Sequence, residues 1–207
     1  MFQSPANFIE DARSDMGLGI RASIRGLWSG KIDQFSFIDS MVVTLDRNLR
    51  RAWDEGLAQA GIAPGEMSDA EQDALMALIN GQFQYLPPFS QVIVNSSKAN
   101  GGKLGPLLQR GELWLGRYDE AVVRAKTMAS GNKKMRWTLH GHHVTKKPCS
   151  SCLRLNGKVK RANFWHEKGI LPRVAGCWWL ICKGYRCGCD LIETNEPLSK
   201  GPLPSLP

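Results

Sequence analysis

All six cysteines of this 207-residue chain lie between Cys149 and Cys189. Cys149 and Cys152 form a C-x2-C pair, and the later group comprises Cys177, Cys182, Cys187 and Cys189. The N-terminus lacks the charged start and apolar stretch of a secretory signal, so we expect a reducing compartment in which disulfides are rare. Two thiolates on a C-x2-C pair, followed by a second cysteine cluster, instead favour a zinc ion as the centre of this part of the chain.

The composition changes near Gly131. Residues 1–130 contain 13 Lys and Arg against 15 Asp and Glu, a net charge of −2, whereas residues 131–207 contain 14 against 4, a net charge of +10. All four histidines and four of the seven tryptophans also lie in the second part. We therefore predict a helical body over 1–130, a basic cysteine-rich zinc module over 131–195 and a Pro-rich tail over 196–207.

Apolar residues recur at helical spacing through most of the first 130 residues. The pattern predicts helices over Pro5–Trp28 (with a break allowed at Gly17 and Gly19), from Asp33 or Ser36 to Gly61, from Ser68 to Pro87-Pro88, and over Leu104–Met128 in two pieces divided near Gly116. Ser68 and Glu71 have the spacing of a capping box. This part contains no catalytic or phosphate-binding motif, so we interpret its apolar stripes as core packing.

The second part has a different pattern. Alternation at Met135, Trp137 and Leu139 predicts a strand, Asn156-Gly157 predicts a hairpin, and Leu191-Ile192 predicts a last strand. So small a module buries little apolar area and usually needs a metal or disulfides. The predicted fold class is mainly α, with a helical N-terminal body and a small zinc-stabilised α+β C-terminal module.

Five cysteines compete for four positions on the predicted zinc ion: Cys149, Cys152, Cys182, Cys187 and Cys189. Zinc bound by four thiolates is tetrahedral and closed to water, which indicates a structural role. Cys177, beside Trp178-Trp179, is interpreted as a small buried hydrophobe. Disulfides and free buried thiols are the alternatives.

An enzymatic zinc site is not expected. One of the nearby histidines could replace a cysteine ligand: His140, His142 or His143. A hydrolytic site also needs an open position and a carboxylate base, and Glu167 is the only acidic residue within residues 131–189. A thiol oxidoreductase is disfavoured because the sequence does not place Cys149-x2-Cys152 at the start of a helix after a strand.

A longer pattern runs from Trp137 through Cys149-Ser150-Ser151-Cys152-Leu153-Arg154-Leu155-Asn156-Gly157-Lys158-Val159 to Cys182-Lys183-Gly184-Tyr185-Arg186-Cys187-Gly188-Cys189. It resembles the C-terminal part of tailed-phage minor head, or head morphogenesis, proteins, over roughly residues 131–193. Members of that family typically read Trp, C-x2-C, Leu-(Asn/Asp)-Gly and a terminal Cys-x-Cys. Many have His-Pro shortly before the last motif, where this chain has Gly184-Tyr185, so the fourth ligand stays open.

The resemblance implies a non-enzymatic role in the phage head, assisting capsid assembly or the packaging and delivery of DNA near the portal. The implied partners are portal or capsid proteins, and the implied locations are the virion and the cytoplasm of the infected bacterial host. No membrane partner is expected, because no apolar run approaches the roughly 20 residues that a spanning helix needs.

The basic charge of the second part also suggests contact with packaged DNA, since Lys and Arg replace counterions on phosphate. The candidate nucleic-acid contacts are Lys146, Lys147, Lys158, Lys160 and Arg161. The alternatives are a solvated surface and a zinc-ribbon-like nucleic-acid-binding protein that acts outside the virion.

Four prolines in residues 196–207 predict an extended tail. Leu198, Leu203 and Leu206 have no obvious core to join in the sequence. The tail is interpreted either as a frayed end or as a strap that orders on a portal or capsid protein.

Overall fold

The computed structural model describes residues 5–63, 65–139, 147–185 and 187–206, with side chains described from Ala12 onward. The helices are α1 (Pro5–Trp28), α2 (Gln34–Gln59), α3 (Asp69–Phe83), α4 (Leu86–Asn95), α5 (Leu104–Gly111), α6 (Leu115–Ser130), α7 (Ser150–Leu155) and α8 (Ala162–Glu167); the strands are β1 (Lys134–Thr138), β2 (Val159–Arg161) and β3 (Asp190–Glu193). The predicted fold class is confirmed: a mostly helical N-terminal part precedes a small α+β part that carries the clustered cysteines. None of the described helices combines the length and apolarity needed to cross a membrane.

The chain divides into two compact units, Met1–Ala52 with Gln72–Tyr118 and Trp53–Glu71 with Asp119–Pro207. The division falls inside α2, α3 and α6. It therefore differs in position from the compositional change near Gly131. The segments 1–130, 131–195 and 196–207 stay predictions.

In the first unit, α1 is one continuous helix despite its glycines. Its apolar stripe is buried as predicted, at Ala12, Met16, Ile20, Ile24 and Leu27. A Cβ added at Gly19 would lie 2.8 Å from Cγ2 of Thr44 on α2. Gly19 therefore allows close approach of the two helices, and the predicted helix over Pro5–Trp28 is confirmed without the break that its glycines allowed.

The predicted capping box at the start of α3 is confirmed. The amide of Ser68 donates to Oε2 of Glu71 at 2.8 Å, and the amide of Glu71 donates to Oγ of Ser68 at 3.4 Å. The predicted end of this helix is wrong, because α3 ends at Phe83. Pro87 and Pro88 instead lie in the first turn of α4, where a helix does not require their missing N–H groups.

The segment after the loop at 96–103 is divided into two helices, as predicted, but before Gly116. A 3-10 turn at Glu112–Trp114 separates α5 from α6. Trp114 packs on Phe89, with ring centroids 5.3 Å apart, so the turn coincides with burial of a large side chain. Gly131 follows α6 with a φ of +48°, which is the left-handed conformation expected of a helix stop.

The second unit contains a three-stranded antiparallel sheet in the order β2-β1-β3. Met135 and Trp137 on β1 are buried while their neighbours are half-exposed, so the predicted alternation is confirmed. Leu191-Ile192 lies in β3, as predicted. The buried core beside the sheet consists of Val123, Met135, Trp137, Cys152, Leu155, Ala162, Trp165, Ile170, Leu171, Val174, Cys177, Leu180, Cys187, Cys189 and Leu191.

The hairpin predicted at Asn156-Gly157 is wrong. These residues end α7 and lead into β2, with Gly157 at a φ of +76°. The amide of Gly157 donates to the carbonyl of Trp137 at 2.9 Å, and Oδ1 of Asn156 accepts from the amide of Leu139 at 3.3 Å. The Asn-Gly pair thus connects a short helix to the sheet, because its turn geometry suits a helix C-terminus as well as a hairpin.

The Pro-rich tail belongs to the second unit and packs against its core. Leu203 and Leu206 are partly buried against this core, so the expectation that the tail leucines have no core to join is wrong for these two, whereas Leu198 is exposed. Ser199 and Val159 are joined by two hydrogen bonds, from the Ser199 amide to the Val159 carbonyl and from the Val159 amide to the Ser199 hydroxyl. Arg154 also donates to the carbonyl of Ser205 at 2.7 Å. Proline has no backbone N–H to donate, and side chains from elsewhere in the second unit donate hydrogen bonds to the carbonyl groups of the tail.

A buried ion-pair network lies at the start of β3. Oδ1 of Asp190 is 3.1 Å from the guanidinium of Arg173 and 3.7 Å from Nζ of Lys126. Burial lowers the pKa of Lys126, against the opposing attraction of Asp190. The carboxylate of Asp190 is therefore needed to compensate two cations that are largely removed from water.

Candidate metal centre

The first two thiols lie on one turn of helix. Cys149 is the N-cap of α7, and Cys152 lies in its first turn. Helical spacing of three residues places both side chains on the same side of the turn. The sequence predicts that Cys149-x2-Cys152 does not start a helix after a strand, and the first part of this expectation is wrong because the pair starts α7.

The other thiols lie on a loop of turns from Cys177 to Cys189 that leads directly into β3. Gly184 closes this loop at a φ of +75°, and a Cβ there would overlap the carbonyl of Val174. The amide of Cys187 bonds to the carbonyl of Gly184, and the amide of Gly176 bonds to the carbonyl of Lys183. The loop conformation therefore depends on glycine at position 184.

Five thiols come together in two overlapping groups. One group comprises Cys149, Cys152 and Cys182, and the other comprises Cys152, Cys187 and Cys189; within each group the sulfur atoms lie within 4.8 Å of one another. Cys152 belongs to both groups and is 1% exposed. All five cysteines predicted as candidate ligands are thus brought together, with Cys152 at the centre.

The donor set, and the sulfur–sulfur distance that joins its two groups, fit a tetrahedral thiolate site. A Zn–S bond of about 2.3 Å gives a sulfur–sulfur distance of roughly 3.8 Å across a tetrahedron, and the Sγ atoms of Cys152 and Cys187 are 3.8 Å apart. The six cysteines are free thiols. The clustered cysteines could therefore bind a metal ion such as zinc.

The electrostatics of the cluster also favour a cation. Hydrogen bonds from neighbouring thiols, of which Cys152 contributes most, lower the pKa of Cys187 far below its usual range. Hydrogen bonds with Cys182 and others raise the pKa of Cys152. A hydrogen bond with Cys152 acts to lower the pKa of Cys189. A hydrogen bond with Cys187 and burial outweigh it and raise that pKa to about 12. A thiolate at one cysteine therefore disfavours deprotonation of its neighbours, and a bound cation would offset the repulsion between neighbouring thiolates.

Trp137 is a site residue that cysteine spacing did not reveal. Its indole Nε1 is buried and has no hydrogen-bond partner among the described residues. The same side chain interacts with the thiol of Cys189 and lowers the pKa of that group. A thiolate at Cys189 would give this N–H an acceptor. Outer hydrogen bonds of this kind orient metal ligands and tune their affinity.

Cys177 lies outside both groups of thiols. It is buried in the apolar core, and its Sγ is 3.3 Å from the carbonyl oxygen of Gly169. Its interpretation as a packing residue is consistent with this position. The alternative histidine ligands lie outside the described residues: His140, His142 and His143.

The predicted nucleic-acid contacts have different surroundings. Lys146 lies outside the described residues, and Lys147 is exposed. Nζ of Lys160 donates to the tail carbonyls of Ser199 and Gly201 at 3.0 and 2.9 Å. Arg161 donates to the carbonyl of Asn132 at 2.8 Å, and Lys158 is half-buried. The assignment of these side chains to nucleic acid stays a prediction.

Comparison with family models, with curated proteins and with solved structures gives no match to this chain.

Proposed function

We propose that this chain is a non-enzymatic structural protein of tailed-phage heads, and that its cysteine-rich part folds around one zinc ion. Four of the five clustered thiols hold the ion. Residues of this part then act in capsid assembly or in the packaging and delivery of DNA, in contact with portal or capsid proteins. The observation that carries the proposal is the convergence of both halves of the cysteine motif on Cys152.

A structural role for the metal is supported by the chemistry of the donors. Both groups of clustered ligands among the described residues consist of cysteine alone. Four thiolates close a zinc site, whereas a hydrolytic site keeps a position for water beside a base. The free energy of metal binding would then stabilise a part of the chain that has only short strands and helices around the site.

The phage-head assignment is supported by the way in which the residues of the motif contact one another. Trp137 accepts a hydrogen bond from Gly157, and its indole group lies beside Cys189. Cys152 and Cys187, which belong to the two halves of the motif, lie 3.8 Å apart. The residues that carry the resemblance thus form one unit around the candidate ion, as expected if the motif has a common structural purpose.

The direct test of the assignment is mass spectrometry of purified virions of the phage that encodes the chain. We expect peptides of this protein in full heads after gradient purification and nuclease treatment. Its absence from virions, together with binding to nucleic acid in infected-cell extracts, would favour the zinc-ribbon-like alternative. Exposed Lys147 is one observation that supports that alternative.

A further inference from the structure

The loop that carries the later cysteines also displays large aromatic side chains to solvent. Trp178 is 80% exposed, and Trp179 and Tyr185 are exposed as well. Together with Lys183 these residues form a surface that we call the aromatic platform. Three exposed aromatic side chains within residues 178–185 are more than the scattered apolar residues of an ordinary protein surface, and an exposed apolar patch commonly marks a binding surface.

The loop backbone holds the platform in place. Cys177 and Cys187, which flank the platform residues in the sequence, and Leu180, which lies among them, are buried in the core. The amide of Lys183 donates to the carbonyl of Leu180 at 2.7 Å, and the amide of Tyr185 donates to the carbonyl of Cys182 at 3.0 Å. With its neighbours anchored inward, the loop cannot bury the platform without losing these contacts, so the backbone that carries the aromatic groups is preorganised for a ligand.

The charged residues of the segment that carries the platform have a single sign. Nζ of Lys183 lies 5.0 Å from the centroid of the Trp178 ring. Residues 168–189 contain four Lys and Arg and no Asp or Glu. A cation over one face of a ring that is 80% exposed, in a segment without an acidic residue, is complementary to a ligand that offers both negative charge and flat rings.

We propose that the aromatic platform binds single-stranded nucleic acid, with unpaired bases stacked on Trp178 and Tyr185 and a phosphate at Lys183. Single strands combine a regular negative charge with accessible base faces, whereas a duplex keeps its bases stacked internally. The platform is distinct from the lysines and arginine that the sequence suggested as nucleic-acid contacts. This inference goes beyond a structural role in the head. It depends on the fold of the loop that contains the later cysteines, and it does not depend on whether the protein is located in the virion.

The test is fluorescence anisotropy of a labelled oligothymidylate titrated with the full-length protein at low salt. Stacking on one aromatic residue contributes enough that Trp178→Ala should weaken binding about 5- to 100-fold. Trp178→Phe should restore most of the affinity, because a benzene ring also stacks. Phe35→Ala is the matched control, since Phe35 is also 80% exposed but lies on α2, away from the cysteine-containing loop in the sequence.

Metal content and the melting temperature of each variant are measured in parallel, so that loss of binding through unfolding is recognised. Equal affinity of Trp178→Ala and the unaltered protein would overturn the inference, as would equal binding to duplex DNA of the same length. Binding to anionic lipid vesicles but not to the oligonucleotide would also overturn it. A protein that holds no metal but binds through Trp178 would contradict the proposed metal centre alone, and a metal-loaded protein that ignores the oligonucleotide would contradict this inference alone.

Discussion

Replacement of Cys152 by serine should have a larger effect than replacement of any other candidate ligand. Cys152 is the only residue shared by the two groups of thiols among the described residues. Without its sulfur, the groups reduce to the pair Cys149 and Cys182 and the pair Cys187 and Cys189. No three of these four remaining thiols lie within 4.8 Å of one another in the described part of the chain, so they do not close a tetrahedral site without rearrangement, and a serine hydroxyl is a much poorer zinc ligand than a thiolate.

The magnitude follows from the role of the metal in folding. Structural zinc contributes an apparent binding free energy of about 10–16 kcal/mol at pH 7, whereas a whole domain is stable by only about 5–15 kcal/mol. Cys152 is also fully buried, so its replacement places a hydroxyl in the core. We therefore expect Cys152→Ser to lose the metal and to unfold the cysteine-rich region, while the helical signal from the first unit persists.

The assay combines elemental analysis with near-UV circular dichroism, which reports the packing of Trp137 and Trp165 in this core. Cys177→Ser is the matched control, because Cys177 is buried nearby but lies outside both groups of thiols. We expect that control to keep its metal. If Cys152→Ser retains full metal content and a native near-UV spectrum, the argument that Cys152 is the central ligand is wrong.

Three further predictions concern the surroundings of the site. Trp137→Phe should weaken zinc binding about 10- to 100-fold in a chelator competition, whereas Trp165→Phe should not, because its indole donates to a backbone carbonyl instead; equal effects would contradict the role of the indole. Asp190→Asn should lower the free energy of unfolding by about 3–5 kcal/mol in urea denaturation, since it leaves buried Arg173 uncompensated, and a loss below 1 kcal/mol would contradict this. Deletion of residues 196–207 should lower stability by about 1–3 kcal/mol with full zinc content, and an unchanged melting temperature would show that the tail contacts contribute nothing.

The helices of the first 130 residues could be predicted because apolar periodicity and capping are local signals. The buried stripe of α1 and the capping box of Ser68 were both evident in the sequence. The predictions that were wrong rested on residue patterns that occur in more than one kind of structure. Pro87-Pro88 suits the first turn of a helix as well as a stop, and Asn156-Gly157 suits the exit from a helix as well as a hairpin.

The tail shows a second limit of prediction from sequence. Its prolines correctly exclude regular secondary structure, but the packing of Leu203 and Leu206 depends on a core formed by residues distant in sequence. Hydrogen bonds from Lys160 and Arg154 to tail carbonyls likewise join parts of the chain far apart in sequence. No local pattern encodes such contacts.

The five clustered cysteines could be predicted from spacing and from the expected reducing compartment. Their division into two groups that share Cys152 could not, because it depends on how the loop ending at Cys189 folds against α7. The indole group of Trp137 was evident as part of a motif, but its position beside Cys189 requires the register of β1.

The most direct test of the metal centre is X-ray absorption spectroscopy at the zinc edge on protein purified without added metal or chelator. We expect about one zinc per chain and a first shell of four sulfur atoms at about 2.3 Å. Four sulfur ligands would establish a closed thiolate site around Cys152. A shell that contains nitrogen or oxygen, or a protein with no zinc and six titratable thiols, would contradict it.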